Sequence, residues 1–524
     1  MKSAIMIALL AGMSVLNACD GAARSPETPP VSPENPDGTD PPVITVDDKY
    51  AGDNDHYDVY ILADNEWKSI KVYDALCSDA AKHSQIWNDW GNDKELRDTM
   101  SYSIFEADFS SPVKVRVTKR NGSFNKVEVR PSPYGMVPVD CGDNTVEFEI
   151  PSLDKAKVSV EFDGDRYHNL FLFGYEPDPD KPSEDEPGVI YYGPGEHDAG
   201  DITLTDGQTL YIDYGAVVYG RVVVDGSHCR IAGHGILSGD KLEHWGEQSW
   251  SMGAIILECN PDRDPGRQDL EIRDITVVNG PSWNISIYNY YDVLIDGVNT
   301  ICYILNGDGM DVVCSNAVEI RNCFLRNYDD CITLKVRHNA TPVSDLYDVH
   351  IHDNIIWGDF ARGIVVGIEA GNKEERTGYL HDVTVEDCIF LHHAGGEALD
   401  DLRAAFAIGQ YASPEYAWNN YGTAREMKNI TARNLIFDSI GKTGRNVAIW
   451  QYPDMTDACN MDNVLLENFT VYDRNGVTTP AIYIDANQHN ITNLTIRNFT
   501  FAGQKILSEG PECVIYGDVD VQFE

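Results

Sequence analysis

Positive charge is what this chain has least of. Its 524 residues carry 40 lysines and arginines against 84 aspartates and glutamates, a formal charge of -44. Repulsion on that scale slows the approach of nucleic acid, anionic membrane surfaces and polyanionic substrates, so these count as poor partners. Metal-ligating cysteine pairs are missing as well. The 12 cysteines show no CxxC spacing and no disulfide framework, so no metal and no other cofactor is expected. Cys302, Cys314, Cys323, Cys331 and Cys388 fall inside apolar strand patterns and read as small core residues. After the first residues there is no apolar run long enough to span a bilayer.

What is present begins with an export signal. Lys2 precedes an apolar run from Ala4 to Leu16, too short for a membrane span. The run ends in Leu16-Asn17-Ala18-Cys19, which resembles the bacterial lipobox. That resemblance implies a signal peptide over 1–19, lipidation of Cys19, and a lipid-anchored protein in the periplasm, the outer membrane or the cell surface. Residues 20–47, rich in Pro, Ser, Gly and acids, read as a disordered linker. Period-two alternation follows in Val113 to Val117, Val127 to Val129, Val146 to Ile150 and Val158 to Phe162, with turn residues between. It predicts a β-sandwich over 48–178. A second acidic, Pro-rich linker runs from Glu176 to Pro187.

From 188 to 524 one motif recurs: apolar, any, apolar, any, then Asn or Asp. The copies start at Leu270, Val318, Val349, Val383, Ile430, Val464 and Leu494, with a looser one at Val293, about 23 to 47 residues apart. Each copy offers an apolar face that cannot bury itself alone. Stacking at about 4.8 Å gives every strand a neighbour above and below, and the Asn or Asp tolerates the left-handed turn. The fold class predicted is all-β, an N-terminal β-sandwich followed by a right-handed parallel β-helix.

Two stretches inside the repeats carry chemistry: Asn306-Gly307-Asp308-Gly309-Met310-Asp311 and Tyr328-Asp329-Asp330-Cys331. Close carboxylates repel and resist desolvation, so a fold does not gather them without a use. In-register stacking puts Asp308, Asp329 or Asp330, and Arg362 in one column. The acids then lie roughly 5 to 8 Å apart, which fits the retaining separation and the lower end of the inverting one, so spacing leaves the stereochemistry open. One of them should hold a raised pKa and donate a proton.

Asn306-x-Asp308-Gly309 followed by Asp329-Asp330-Cys331 resembles the N-x-D-G and D-D-C signatures of the polygalacturonase family of inverting glycoside hydrolases. The layout is also similar to the dextranase and isopullulanase family, which sets a β-sandwich before a β-helix. The resemblance implies that Asp329 is the general acid, that Asp308 and Asp330 hold the attacking water, and that the product is inverted. The Gly-His-Gly of polygalacturonases is replaced here by Ala361-Arg362-Gly363, and no Arg-Ile-Lys follows. With the charge of -44, this points to a neutral α-glucan of dextran or pullulan type, with pectic glycans as the alternative substrate.

Substrate contacts are expected from Arg362, Lys335, Asp311, Trp357 and Glu369. Trp245, Trp250, Trp283, Trp418, Trp450 and Tyr452 are candidate stacking platforms, and Glu397, Asp400 and Asp401 candidate subsite acids. A monomer acting on a polysaccharide or oligosaccharide is expected. Two rival classes are a non-catalytic glycan-binding surface protein and a β-helix polysaccharide lyase.

Overall fold

The computed structural model describes residues 45–78, 97–242, 255–304, 306–336, 344–367, 378–393, 403–410, 426–439, 445–451, 460–472 and 479–524. Two sheets come first. One has six strands in the order Thr45–Asp47, Glu66–Ile70, Tyr57–Ala63, Val113–Lys119, Thr145–Ile150, Val139–Gly142. The other has five: Val72–Ser78, Arg97–Glu106, Leu170–Tyr175, Lys157–Phe162, Val127–Arg130. Alternating residues of both (Val59, Val115 and Phe148 from one; Phe105, Val158 and Leu172 from the other) share one core, which makes the pair a sandwich. Thr45–Asp47, inside the expected linker, forms a strand that pairs with Glu66–Ile70.

The strand Leu170–Tyr175 is buried at every position, which erases the alternation that would have revealed it. Leu170 and Leu172 face the sandwich core. Phe171 and Phe173 face the other way, into a second core shared with Val278, Ile301, Phe324 and Trp357 of the C-terminal region.

From Val189 onward the described residues form 31 strands that join in one ladder of almost entirely parallel pairings between successive coils, a parallel β-helix. The motif copies stack in register: Leu270 on Val293, Val293 on Val318, then Val349, Val383, Ile430, Val464 and Leu494. Their Asn and Asp residues turn the chain. Asp274, Asn322, Asp353, Asp387, Asn434, Asn468 and Asn498 all have φ between 53° and 61°. The looser copy at Val293 keeps the geometry by other means: its fifth position is Gly297, at φ 72°. A Cβ there would come within 2.0 Å of Asp274 Oδ1. The apolar positions fill a single interior column along the whole helix. Every cysteine among the described residues is a free thiol, and all but Cys141 are buried.

Candidate active site

The acids sit where a second column of short strands begins. Ile285–Tyr288, Met310–Val313, Ile332–Lys335, Ile364–Val366, Phe406–Gln410 and Val447–Gln451 stack coil upon coil. Met310 pairs with Ile332 and Ile332 with Ile364. Two residues before each of these lie Asp308, Asp330 and Arg362, so the expected column forms, with Asp330 rather than Asp329 in register. Backbone bonds fix the three turns to one another. The Gly309 N–H donates to the Asp330 carbonyl at 2.8 Å and the Cys331 N–H to the Arg362 carbonyl at 2.9 Å. Asn284 holds the Asp308 carbonyl with its backbone N–H at 2.9 Å and its side-chain amide at 2.7 Å.

Asp329, one position out of register, is partly exposed. The Asn306 N–H donates to its Oδ2 at 3.0 Å. Burial and then the neighbouring Asp330 push its pKa up to about 6, against the pull of Arg362, the Asn306 N–H and Arg403. Asp308 is almost fully buried. Burial, then Asp311 and Asp329, hold its carboxyl well above the usual range, opposed by Lys335. Arg362 Nη1 lies 3.2 Å from Asp330 Oδ1 and 3.3 Å from Oδ2. Asp329 and Asp330 both act on the Asp308 carboxyl, and Asp330 acts on that of Asp329, which places the three carboxylates in one cluster.

Lys335 and Asp311 enter differently from the way their spacing suggests. Lys335 is buried; its ammonium is 2.6 Å from Asp311 Oδ1 and 3.5 Å from Asp308 Oδ2, and it rests 3.9 Å from the centre of the Trp283 ring. Asp311 is also buried and accepts from Thr333 Oγ1 at 2.6 Å. Both therefore lie covered behind Asp308, where Lys335 favours its charged form and Asp311 opposes it. Trp357, expected at the substrate, is in the interface with the sandwich. Its ring meets Phe171 edge-on at 5.6 Å, and its Nε1 donates to Asp359 at 3.0 Å. Trp450 packs on Val365, Ala407 and Ala448 in a small apolar cluster. Glu369, Cys19, Trp245, Trp250, Trp418, Tyr452, Glu397, Asp400 and Asp401 lie outside the described residues.

Sequence reasoning missed His393 and Arg403. His393 is buried, neither ring nitrogen has a hydrogen-bond partner among the described residues, and burial, then Arg362 and Arg403, push its pKa down to about 3. It is a neutral imidazole next to the Arg362 turn: a Cβ on Gly358 would meet its Nδ1 at 3.1 Å. The Arg403 guanidinium lies 4.2 Å from the centre of the Phe360 ring. Nothing in the local pattern of His392-His393 or Leu402-Arg403 marks either; only the winding brings them here.

A partly exposed carboxylic acid with a pKa of about 6, beside a carboxylate held by arginine, can donate a proton to one atom while its neighbours polarise water. The comparisons with known proteins agree with that chemistry. Residues 263–396, which contain all three acids, match the model of Glycosyl hydrolases family 28. Residues 62–177 match the Glycosyl hydrolase family 49 N-terminal Ig-like domain. These matches indicate a glycoside hydrolase. The chain resembles a dextranase of Arthrobacter globiformis, 22% identical over 79% of this chain and 75% of that protein. It also resembles a Vitis vinifera protein described as a probable polygalacturonase, 24% identical over 35% of this chain and 36% of that protein. The chain thus spans about a third of the plant relative's length and three quarters of the dextranase's. Among solved structures, Dex49A from Penicillium minioluteum superposes with a TM-score of 0.53 at 14% identity, covering 90% of this chain and 94% of that one. At that identity the likeness speaks for the enzyme's fold alone.

Proposed function

We propose that the protein hydrolyses the α-linked bonds of a neutral glucan, of dextran or pullulan type, with inversion at the anomeric carbon. The observation that carries this reading is the Asp329 carboxyl, lifted to about 6 beside the Asp330–Arg362 pair. Asp329 protonates the departing glycosidic oxygen as the bond breaks. Asp308 and Asp330 orient a water that attacks from the opposite face, and one of them takes its proton; after product leaves, that carboxyl gives the proton to solvent and Asp329 takes one back. Arg362 holds Asp330 in place, and Lys335, paired with Asp311, lies behind Asp308 and opposes the rise of its pKa. A neutral substrate is supported by the overall charge of -44. The dextranase match, which covers most of both chains, supports it as well.

A pectic glycan is the second reading, favoured by the named plant relative and by the arginine beside Asp330. The deciding experiment offers dextran, pullulan and polygalacturonate to the purified chain. Reducing ends are measured and the first-formed anomer is followed by proton NMR. The expected result is reducing ends from a neutral glucan with the β-anomer appearing first. Release from polygalacturonate alone moves the substrate to the second reading, and an unsaturated ultraviolet-absorbing product overturns hydrolysis in favour of a lyase.

The enzyme works as an exported monomer tethered through a lipid on Cys19. Labelled palmitate incorporated by the wild type and absent from Cys19→Ser checks the anchor. Light scattering on the protein released from it checks the monomer.

A further inference from the structure

Arg326 is a fully buried arginine, its side chain 0% exposed, three residues before Asp329. Its partner Asp359 lies three residues before Arg362. The pair is two-pronged: Nε reaches Asp359 Oδ2 at 2.8 Å and Nη2 reaches Oδ1 at 3.2 Å. The remaining donors go to the sandwich. Nη1 donates to Asn169 Oδ1 at 2.7 Å and Nη2 to the Arg166 carbonyl at 2.6 Å. The guanidinium is stacked 4.1 Å from the centre of the Trp357 ring. Asn169 is itself fixed, its amide donating to Ser159 Oγ at 3.0 Å.

From this pair the order runs outward to the acids. The Asp359 N–H donates to the Asn327 carbonyl at 2.9 Å, and the Ala361 N–H to the Tyr328 carbonyl at 3.2 Å. The Tyr328 and Phe360 rings lie parallel with centres 5.0 Å apart. The turn carrying Asp329 and Asp330 and the turn carrying Arg362 are therefore stapled together and seated on one ion pair. An apolar contact would join two domains at lower desolvation cost than a buried charge pair; what a planar, forked guanidinium adds is orientation.

We propose that the β-sandwich is part of the catalytic apparatus: through Asn169 and the Arg166 carbonyl it fixes the Arg326–Asp359 pair, and that pair sets the position of the Asp329–Asp330 turn. Asn169, Arg326 and Asp359 are positioning residues, and their role rests on the reading of Asp329 and Asp330 as the acids that cleave the bond. The prediction separates this from mere adhesion. A loosened turn admits water to Asp329, lowers its pKa, and moves the alkaline limb of the rate profile to lower pH. Adhesion alone leaves that limb where it is.

The test uses the full chain on the glycan it cleaves. Asn169→Leu removes the acceptor at nearly constant volume, and Asn169→Asp keeps it. For Asn169→Leu, kcat is expected to fall roughly ten-fold or more with KM within about two-fold, since small misplacements of catalytic groups are costly. The alkaline limb should shift down, and hydrogen exchange in peptides covering 325–336 and 356–366 should accelerate while 209–224 stays unchanged. Asn169→Asp should restore all three. If Asn169→Leu misfolds, Asn169→Ser with the same readouts replaces it. Asp329→Asn is the control for the underlying reading. Loss of turnover in that control, with normal kcat, pH profile and exchange in Asn169→Leu, overturns the positioning role alone. Retained turnover in Asp329→Asn overturns the catalytic assignment and the positioning role with it.

Discussion

Two edges of the β-helix carry short polar side chains on coil after coil, and they use them for opposite purposes. One edge is the ladder of turns from Asp274 to Asn498. There the backbone is left-handed, many of the side chains are exposed, and the later ones bond along the ladder. The Asn468 amide donates to Asn434 Oδ1 at 3.0 Å and the Asn498 amide to Asn468 Oδ1 at 2.8 Å. The other edge holds Asp308, Asp329 and Asp330. None of the three has a positive φ; the left-handed position in that turn is taken by Asn306, at 54°. The backbone has no need of these acids, and two of them are buried. An aspartate required by chain geometry can face water, as Asp353 and Asp387 do. One gathered among other carboxylates under cover becomes a proton donor.

The sharpest way to break the comparison is to exchange the chemistry at both edges. Asp329→Asn should lower kcat by roughly 10²- to 10⁴-fold, the range for loss of a general acid, whereas Asn468→Ala should leave kcat unchanged; initial rates on the cleaved glycan decide. Arg362→Met strands a buried carboxylate and should cost about 3–5 kcal/mol of stability, read from urea unfolding, with a fall in kcat as well.

The pH dependence follows from Asp329. As the proton donor, with its pKa raised to about 6, it should give a rate that declines as pH rises past that value. Its effect on stability has the same sign. The folded state binds this proton more tightly than the unfolded chain, so stability falls as pH rises between the ordinary value of 3.8 and about 6. Asp329→Asn should flatten that slope in thermal melts across the window. The smallest effect belongs to the ladder. Asn468→Ala loses hydrogen bonds at an exposed left-handed position and should cost about 1 kcal/mol, visible as a lower Tm.

Local spacing made the ladder legible. Each motif copy needs only its own five residues to declare an apolar face and a turn, and seven copies land on paired strands with the turn residue left-handed. The column of Asp308, Asp330 and Arg362 was legible for the same reason, since in-register stacking converts a repeat into a spatial address. Trp357, Lys335 and Asp311 were misread because alternation tells which wall a residue faces but not what covers that wall. Arg326 and Asn169 lie 157 residues apart, and neither falls within a copy of the five-residue motif. Leu170–Tyr175 hides its period because both of its faces are covered.

In the described coils each strand leans mainly on those directly above and below it. The spacings of the motif copies differ about two-fold, from about 23 to 47 residues, yet Val293, Val318, Val349, Val383 and Ile430 remain in line. Segments at the rim can therefore lengthen, shorten or be exchanged without disturbing a single rung. The carboxylates ride on the rungs, so the proton chemistry proposed for them can stay fixed while the rim changes.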